Sequence, residues 1–195
     1  MSIDAKIGET LNLETLIPDD GRIMIGLGWE KKRALGPAHD LDSVVFMVGS
    51  DNKCQSGSDV CFYKEGFRTQ HNGAVIHFGD DNNGSGVGDD EKVEISLNLI
   101  PERIKALIVV VSIHNAVKLG QNFGQVEDAW VRLANAKTGE DLVTYDLVED
   151  ATTSTAVEFA RIERSGNSWT FTALGKGTQA GLPGIMEKYG FTVKQ

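Results

Sequence analysis

A glycine-rich acidic loop from Asp80 to Glu91 contains the residues of this sequence that are best suited to chemistry. Five of its twelve residues are carboxylates, and it holds no lysine or arginine. Carboxylates packed this closely repel one another in a folded loop unless solvent or a cation relieves the repulsion. Oxygen ligands in this number suit calcium, which binds six to eight of them, while Gly84, Gly86 and Gly88 leave the backbone free to turn carbonyls inward. The loop therefore indicates a calcium site, with a solvated acidic turn as the alternative.

The loop copies part of an EF-hand and departs from the rest of it. Counted from Asp80 as the first position, Asn82 is third and Glu91 is twelfth, as in an EF-hand loop. The fifth position is Gly84 where a polar ligand is needed, and the sixth is Ser85 where the sharp turn needs glycine. Strand-like sequence also flanks the loop where an EF-hand has helices. We therefore reject the EF-hand and retain the calcium.

A second acidic pair, Asp40 and Asp42, stands at the start of a strand-like segment. Because side chains alternate along a strand, both carboxylates point to the same face. One end of the fold can then bring the pair towards the acidic loop. A polar entry to a strand is the alternative explanation.

Catalytic motifs are absent from the sequence. It has no Gly-x-Ser-x-Gly elbow, no His-Glu-x-x-His helix and no Cys-x-x-Cys pair. The histidines lie far apart along the chain, at His39, His71, His77 and His114. His114 follows an apolar strand, and we interpret it as a hydrogen-bonded core residue in preference to a ligand or a base. We assign no catalytic residue and expect a protein that is not an enzyme.

Composition and charge narrow the class of partner. The chain has 195 residues, a formal net charge of -9 and a pI near 4.9. This balance argues against nucleic acid, whose phosphates attract a basic face, and favours cations. Cys54 and Cys61 are too few for a disulfide framework, so we expect free thiols.

Targeting signals are also missing from the sequence. The N-terminus lacks the pattern of a signal peptide, and the longest apolar run, Ala106 to Val111, is too short to span a bilayer. We expect a cytoplasmic protein. Because no linker or repeat interrupts the chain, we expect a single domain over residues 1–195.

The rest of the chain is typical of short β-strands separated by turns. About ten segments have strand character. They are Ile23 to Trp29, Leu41 to Val48, Val60 to Tyr63, Ala74 to Phe78, Lys92 to Leu99, Ala106 to His114, Ala129 to Asn135, Leu142 to Leu147, Thr155 to Arg164 and Ser168 to Leu174. Turn residues at Lys137-Thr138-Gly139 and Ser165-Gly166-Asn167 predict two hairpins. Regularly spaced strands of this kind predict a sandwich or a barrel.

Hydrophobic periodicity places individual strands within such a fold. Apolar and polar residues alternate from Val93 to Leu99, so Leu99 is expected to share the buried face. The run from Leu107 to Val111 is apolar on both faces, which predicts a central strand covered on both sides. Helix is scarce, and the best candidate runs from Leu182 to Tyr189.

Several of these motifs, in this order, make the chain resemble the tellurium-resistance stress-protein family of the TerD type. The resemblance covers nearly the whole chain, and it rests on Gly26-Leu27-Gly28-Trp29, Asp40-Leu41-Asp42-Ser43, Gly79 to Glu91, Ile113-His114-Asn115-Ala116, Gly120 to Val126, Gly175-x-Gly177 and Tyr189-Gly190. It implies a two-sheet β-sandwich, calcium bound at acidic loops, and a bacterial cytoplasmic stress protein linked to tellurite resistance. It implies no known reaction. The expected fold class is therefore all-β, a two-sheet β-sandwich with one short C-terminal helix.

The resemblance also carries a set of calcium ligands onto this sequence. They are Asp40, Asp42, Asp80, Asp81, Asn82, Asp89, Asp90 and Glu91. Replacing Asp89 and Asp90 by Asn is then expected to weaken metal binding while it stabilises the metal-free form, because repulsion falls.

Three positions depart from the family pattern, since Glu30, Val87 and Asn115 each stand where an Asp is frequent in relatives. We expect these changes to weaken or remove one of the calcium sites that the resemblance implies. A calorimetric titration with two tight sites would contradict this expectation.

Three functions are compatible with these residues. The first is a calcium-dependent binding module whose loops order on cation loading and present a surface to other stress-response proteins. The second is a calcium-dependent peripheral membrane or glycan-binding module. Membrane insertion needs exposed apolar or basic residues beside the metal, and the loop offers only Val87 and Lys92. The third is an enzyme with an unrecognised site. We expect the first, with calcium as cofactor, no nucleic-acid partner, and membrane association left open.

Overall fold

The computed structural model describes residues 2–30, 38–80, 88–146 and 152–191. Its strands are β1 (Ile3–Asp4), β2 (Thr10–Asn12), β3 (Arg22–Glu30), β4 (Leu41–Val48), β5 (Val60–Cys61), β6 (Thr69–Gln70), β7 (Val75–His77), β8 (Glu91–Ser96), β9 (Ala106–Ile113), β10 (Glu127–Asn135), β11 (Asp141–Asp146), β12 (Ala156–Ser165) and β13 (Ser168–Thr178). The α-helices of these ranges are α1 (Ala116–Leu119) and α2 (Gly181–Lys188).

The strands form two sheets that pack face to face. The seven-stranded sheet has the order β1-β11-β10-β3-β8-β7-β6, and the six-stranded sheet has the order β2-β13-β12-β9-β4-β5. Alternate residues of facing strands, such as Ile25, Val93 and Val109, point between the sheets and are at most 1% exposed. The predicted two-sheet sandwich is therefore confirmed, and so is the C-terminal helix.

The central strand β9 is buried along its whole length. It pairs with β4 on one side and with β12 on the other, so both of its backbone edges are bonded. One face of β9 packs against the other sheet, and the second face, with Ile108, packs under α2 residues Ile185 and Tyr189. A strand covered on both faces needs apolar residues at every position, which explains the continuous run read from the sequence.

The predicted inward position of Leu99 is wrong. Strand β8 ends at Ser96, and Leu97 to Leu99 form a single 3-10 turn closed by the Ile100 amide on the Leu97 carbonyl. The alternation stops where the strand stops, so Leu99 is 59% exposed.

Both predicted hairpins are present, with Gly139 and Gly166 at positive φ.

The register brings several strand ends to one end of the sandwich. In the six-stranded sheet Leu41 at the start of β4 lies opposite Ile113 at the end of β9. In the seven-stranded sheet Leu27 lies opposite Glu91 at the start of β8, and His77 at the end of β7 lies opposite Val93. We call this region the acidic end, defined by Asp40, Asp42, Asp80 and Glu91. Within the described ranges, no helix has the length and apolar character needed to cross a bilayer.

Candidate metal centre

Three carboxylates meet at the acidic end. Asp40 and Asp42 flank the first residue of β4, and Asp80 follows β7, and one oxygen of each lies within 4.8 Å of the others. Asp40 is half-buried, Asp42 is buried and Asp80 is exposed, so the cluster has one deep ligand and an open side. Alternation along β4 puts the first two on one face. Asp80 follows β7 of the other sheet, and the packing of the two sheets at this end brings it beside them.

Asp42 is the electrostatically strained member of the cluster. Burial, followed by the charges of Glu91, Asp40 and Asp80, raises the pKa of Asp42 to about 8. A carboxylate in that position is disfavoured until a proton or a cation neutralises it.

Two buried oxygens at this end are poised for a hard cation. Among the described residues, Asp42 Oδ1 and Glu91 Oε1 are buried and accept no hydrogen bond. A buried acceptor left unbonded costs on the order of 1–3 kcal/mol, so such atoms in a folded protein call for a ligand or an explanation. Oxygen donors of this kind fit calcium, which the donor set therefore accommodates.

A buried network fixes the orientation of Glu91. Its Oε2 accepts from the Ser43 amide at 2.6 Å and from the Ser43 hydroxyl at 2.7 Å. His77 Nε2 lies 3.0 Å from Ser43 Oγ, while the Gly79 amide donates to His77 Nδ1 at 3.1 Å. An accepting Nδ1 assigns the ring proton to Nε2, which then donates to the Ser43 hydroxyl. The network turns the other oxygen, Oε1, away from these donors, and it holds the Ser43 hydroxyl as a donor to a carboxylate.

His114 is not a core residue, so that interpretation of the sequence is wrong. Its side chain is 41% exposed, and its Nδ1 lies 3.4 Å from Asp42 Oδ2. The cause is local, because β9 ends at Ile113 and Asn115 takes a left-handed φ of 54° that turns the chain away from the sheet. Asn, like Asp, tolerates this conformation better than most residues, so Asn115 suits the turn.

Asp89 lies apart from the cluster and pairs with Arg132. Arg132 Nε donates to Asp89 Oδ1 at 2.8 Å, and Nη2 donates to Oδ2 at 2.7 Å, while the Asp89 side chain is only 1% exposed. The carboxylate lies over Gly26, where any Cβ would overlap it. Both oxygens of Asp89 are therefore engaged in a bidentate ion pair on the outer face of the seven-stranded sheet.

Asp90 has a different position again, since its Oδ2 accepts from the Trp29 amide at 3.0 Å. It fastens the end of the acidic loop to β3. Asp81, Asn82 and Val87 lie outside the described residues, as does the side chain of Glu30. The described part of the predicted ligand set thus divides into the cluster with Glu91, and two residues with backbone or arginine partners.

Local sequence gave no signal for Ser43, His77 or Arg132 as parts of this end of the molecule. Each sits in an ordinary strand, and its role depends on which strands become neighbours.

Cys54 and Cys61 are free and buried, as expected, and burial raises the pKa of both thiols to about 12. Thiols in that state are poor nucleophiles at neutral pH.

Comparison with known proteins gives matches along almost the whole chain. The sequence model of the TerD domain matches residues 1–189. General stress protein 16U of Bacillus subtilis (strain 168) is 39% identical over 99% of this chain and 100% of its own length. The tellurium resistance protein TerD of Serratia marcescens is 37% identical over 97% of this chain and 98% of its own. A crystal structure of a homologue of telluride resistance protein (TerD) from Streptomyces coelicolor A3(2) is similar in fold, with a TM-score of 0.68 at 21% identity over 85% of this chain and 94% of that chain.

Proposed function

The chain belongs to the TerD domain family, and we propose that it is a calcium-binding stress-response protein that acts without catalysis of its own. Relatives named as tellurium-resistance and general stress proteins support a role in stress response. Calcium, the cytoplasmic location and the binding of partner proteins are the further parts of the proposal.

The proposal of calcium rests on one observation, the buried oxygens without hydrogen bonds at the end of the fold where three carboxylates cluster. Asp42 Oδ1 and Glu91 Oε1 lack hydrogen bonds among the described residues, and Asp40 and Asp80 add carboxylates within ligand spacing of Asp42. Calcium accepts many oxygens in flexible geometry, whereas magnesium demands a tight octahedron and keeps much of its water. The proposed ion is therefore calcium.

Four of these residues would bind the ion, and two others would position one of the four. Asp40, Asp42, Asp80 and Glu91 would hold the ion, and it would supply positive charge that relieves their mutual repulsion. Ser43 and His77 keep Glu91 in one orientation, as outer partners of metal ligands commonly do. Because these ligands come from β4, β8 and the segment after β7, loading would tie the two sheets together at the acidic end and present one ordered surface to a protein partner.

Thermal unfolding in calcium, in magnesium and in chelator tests the proposal. A ligand that binds only the folded state stabilises it, by about 2.7 kcal/mol at a hundred times its Kd. For a chain of this size we expect calcium at that excess to raise the Tm by roughly 5–10 °C, and magnesium to raise it less. Equal melting temperatures in all three conditions would refute calcium binding.

Replacing Ser43 by Ala tests the positioning network. The change removes the hydroxyl between His77 and Glu91, and it is expected to lower calcium affinity about tenfold, the usual effect of losing an outer partner. Ser96→Ala is the matched control, since Ser96 is a similarly buried serine at the far end of β8. Calorimetric titration of both variants compares the affinities. If Ser43→Ala binds calcium like the control, Glu91 needs no such support.

A further inference from the structure

A groove of about 930 Å³ opens beside the acidic end. It lies between the α1 turn and α2, and Tyr63 and Lys64 also line it. This size is typical of a pocket for a small organic molecule. The proposed calcium function does not require a groove, so the groove calls for a separate explanation.

The inner end of the groove shares a residue with the metal centre. Asp42 lines the groove, its side chain is 4% exposed, and its Oδ1 accepts no hydrogen bond within the described ranges. An ion held by Asp42 would therefore stand where the groove ends. Calcium binds six to eight oxygens, and a ligand in the groove can supply one of them.

The lining of the groove also contains two lysines. Lys64 and Lys118 are both exposed, and His114, another lining residue, has its Nδ1 3.4 Å from Asp42 Oδ2. The N-terminus of α2 also faces the groove, and no side chain caps it at Ala180. A helix N-terminus favours an anion. The one acidic side chain of the lining apart from Asp42 is Glu187, in the last turn of α2, at the other end of that helix. With an ion neutralising Asp42, the two lysines therefore favour an acidic ligand.

The walls of the groove are apolar. Val117 on α1 is 76% exposed, and Leu182, Pro183 and Met186 of α2 also line the cavity without being fully covered. Exposed apolar side chains that gather around a concave surface often mark a binding site. They supply apolar surface for an aliphatic body.

We propose that the groove binds an organic anion whose carboxylate or phosphate meets the calcium at Asp42 and whose aliphatic body lies between α1 and α2. This inference rests on the proposed calcium function. The acid group supplies oxygen to the ion and charge to the two lysines, while the chain covers Val117 and Met186. From the sequence, apolar residues beside the metal were expected only in the acidic loop. The structure adds those of α1 and α2.

Octanoate is a suitable probe, since it combines an acid group with a linear aliphatic chain. We expect saturable binding in calcium by calorimetry, at least tenfold weaker in chelator, with amide shifts of Val117, Lys118 and Leu182 in NMR spectra. Acetate has the acid without the chain, and octanol has the chain without the acid, so each is expected to bind at least tenfold more weakly. Octanoate that fails to bind, or that binds no better than both of these controls, would overturn the proposal.

Two variants separate the groove from the metal. Val117→Asp places a repelling charge in the wall and is expected to weaken octanoate at least tenfold while calcium affinity stays within twofold. Leu99→Asp is the matched control, an exposed leucine at the far end of β8, and is expected to change neither. If the wild type does not bind calcium, the calcium function itself is refuted. If octanoate binds Val117→Asp as tightly as the wild type, only the groove proposal is refuted.

Sedimentation with phosphatidylserine vesicles distinguishes a lipid surface from a small molecule. We expect the wild type to stay in solution with these vesicles in calcium. Sedimentation that Val117→Asp abolishes, with no binding of free octanoate, would assign the groove to a membrane and overturn the small-molecule proposal.

Discussion

Replacing Asp42 by Asn is expected to lower calcium affinity by roughly a hundredfold and, in chelator at pH 8, to raise the Tm by roughly 3–6 °C. The two effects have opposite signs because they concern different states. With metal, Asp42 is the buried ligand and supplies a full negative charge. Without metal, the same charge is buried beside Glu91, Asp40 and Asp80 and destabilises the fold. An amide of the same shape removes the repulsion together with the ligand charge.

The pH dependence of the metal-free protein follows from the same residue. The pKa of Asp42 is raised from 3.8 to about 8 in the folded state. Between these values the folded state holds a proton that the unfolded state has lost, so stability falls as pH rises from about 4 to about 8. Calcium competes with that proton, and we expect its binding near pH 6 to release about one proton. Titrations in two buffers of different ionisation enthalpy measure this number, and Asp42→Asn is expected to abolish the release.

A control variant isolates the effect of position from the effect of net charge. Asp19→Asn removes one negative charge from an exposed turn. This turn leads to Gly21, whose carbonyl accepts a hydrogen bond from the Leu97 amide, so it lies at the end of β8 that is far from the cluster. It is expected to leave calcium affinity and proton release unchanged. Calcium affinity that is equal in Asp42→Asn and Asp19→Asn would exclude the cluster as the metal site.

Much of the fold was predictable because its signals are local. The continuous apolar run of β9 and the alternation of β8 up to Ser96 are set by which faces are buried, and burial is written into each strand separately. The same alternation put Asp40 and Asp42 on one face. Two- or three-residue strands such as β1 and β6 were missed because they are too short to show a period.

The metal centre was less predictable because it depends on pairing between distant strands. Glu91 and Ser43 are 48 positions apart, and only the packing of the two sheets at this end joins them. Arg132 reaches Asp89 across β3, where Gly26 leaves the space for the carboxylate. A count of acidic residues cannot distinguish a carboxylate that is available to a metal ion from one that is already paired with an arginine.

That distinction reverses the expected effect of removing charge from the acidic loop. From the sequence, Asn at positions 89 and 90 was expected to stabilise the metal-free protein by lowering repulsion. Asp89, however, is bonded through both oxygens to Arg132, so its neutralisation loses an ion pair. Asp90 accepts from the Trp29 amide, a bond that an Asn oxygen can also make. We therefore expect Asp89→Asn to destabilise by about 1–3 kcal/mol and Asp90→Asn to be nearly neutral.

Replacing Arg132 by Met is expected to have the largest effect on stability, a loss of about 3–5 kcal/mol. Met keeps the apolar stem of the side chain but leaves the Asp89 carboxylate buried at 1% exposure without its arginine. Chemical denaturation measures the loss, and adding Asp89→Asn to Arg132→Met is expected to recover part of it, because the uncompensated charge is then gone. Arg22→Met is the matched control, since Arg22 pairs with Glu94 on the same sheet at 45% exposure and is expected to cost less than about 1 kcal/mol. Calcium affinity at the three-carboxylate cluster is expected to change little in Arg132→Met where the protein remains folded. A large loss of calcium affinity in Asp89→Asn, with little loss of stability, would return Asp89 to the set of metal ligands and would refute its assignment to Arg132.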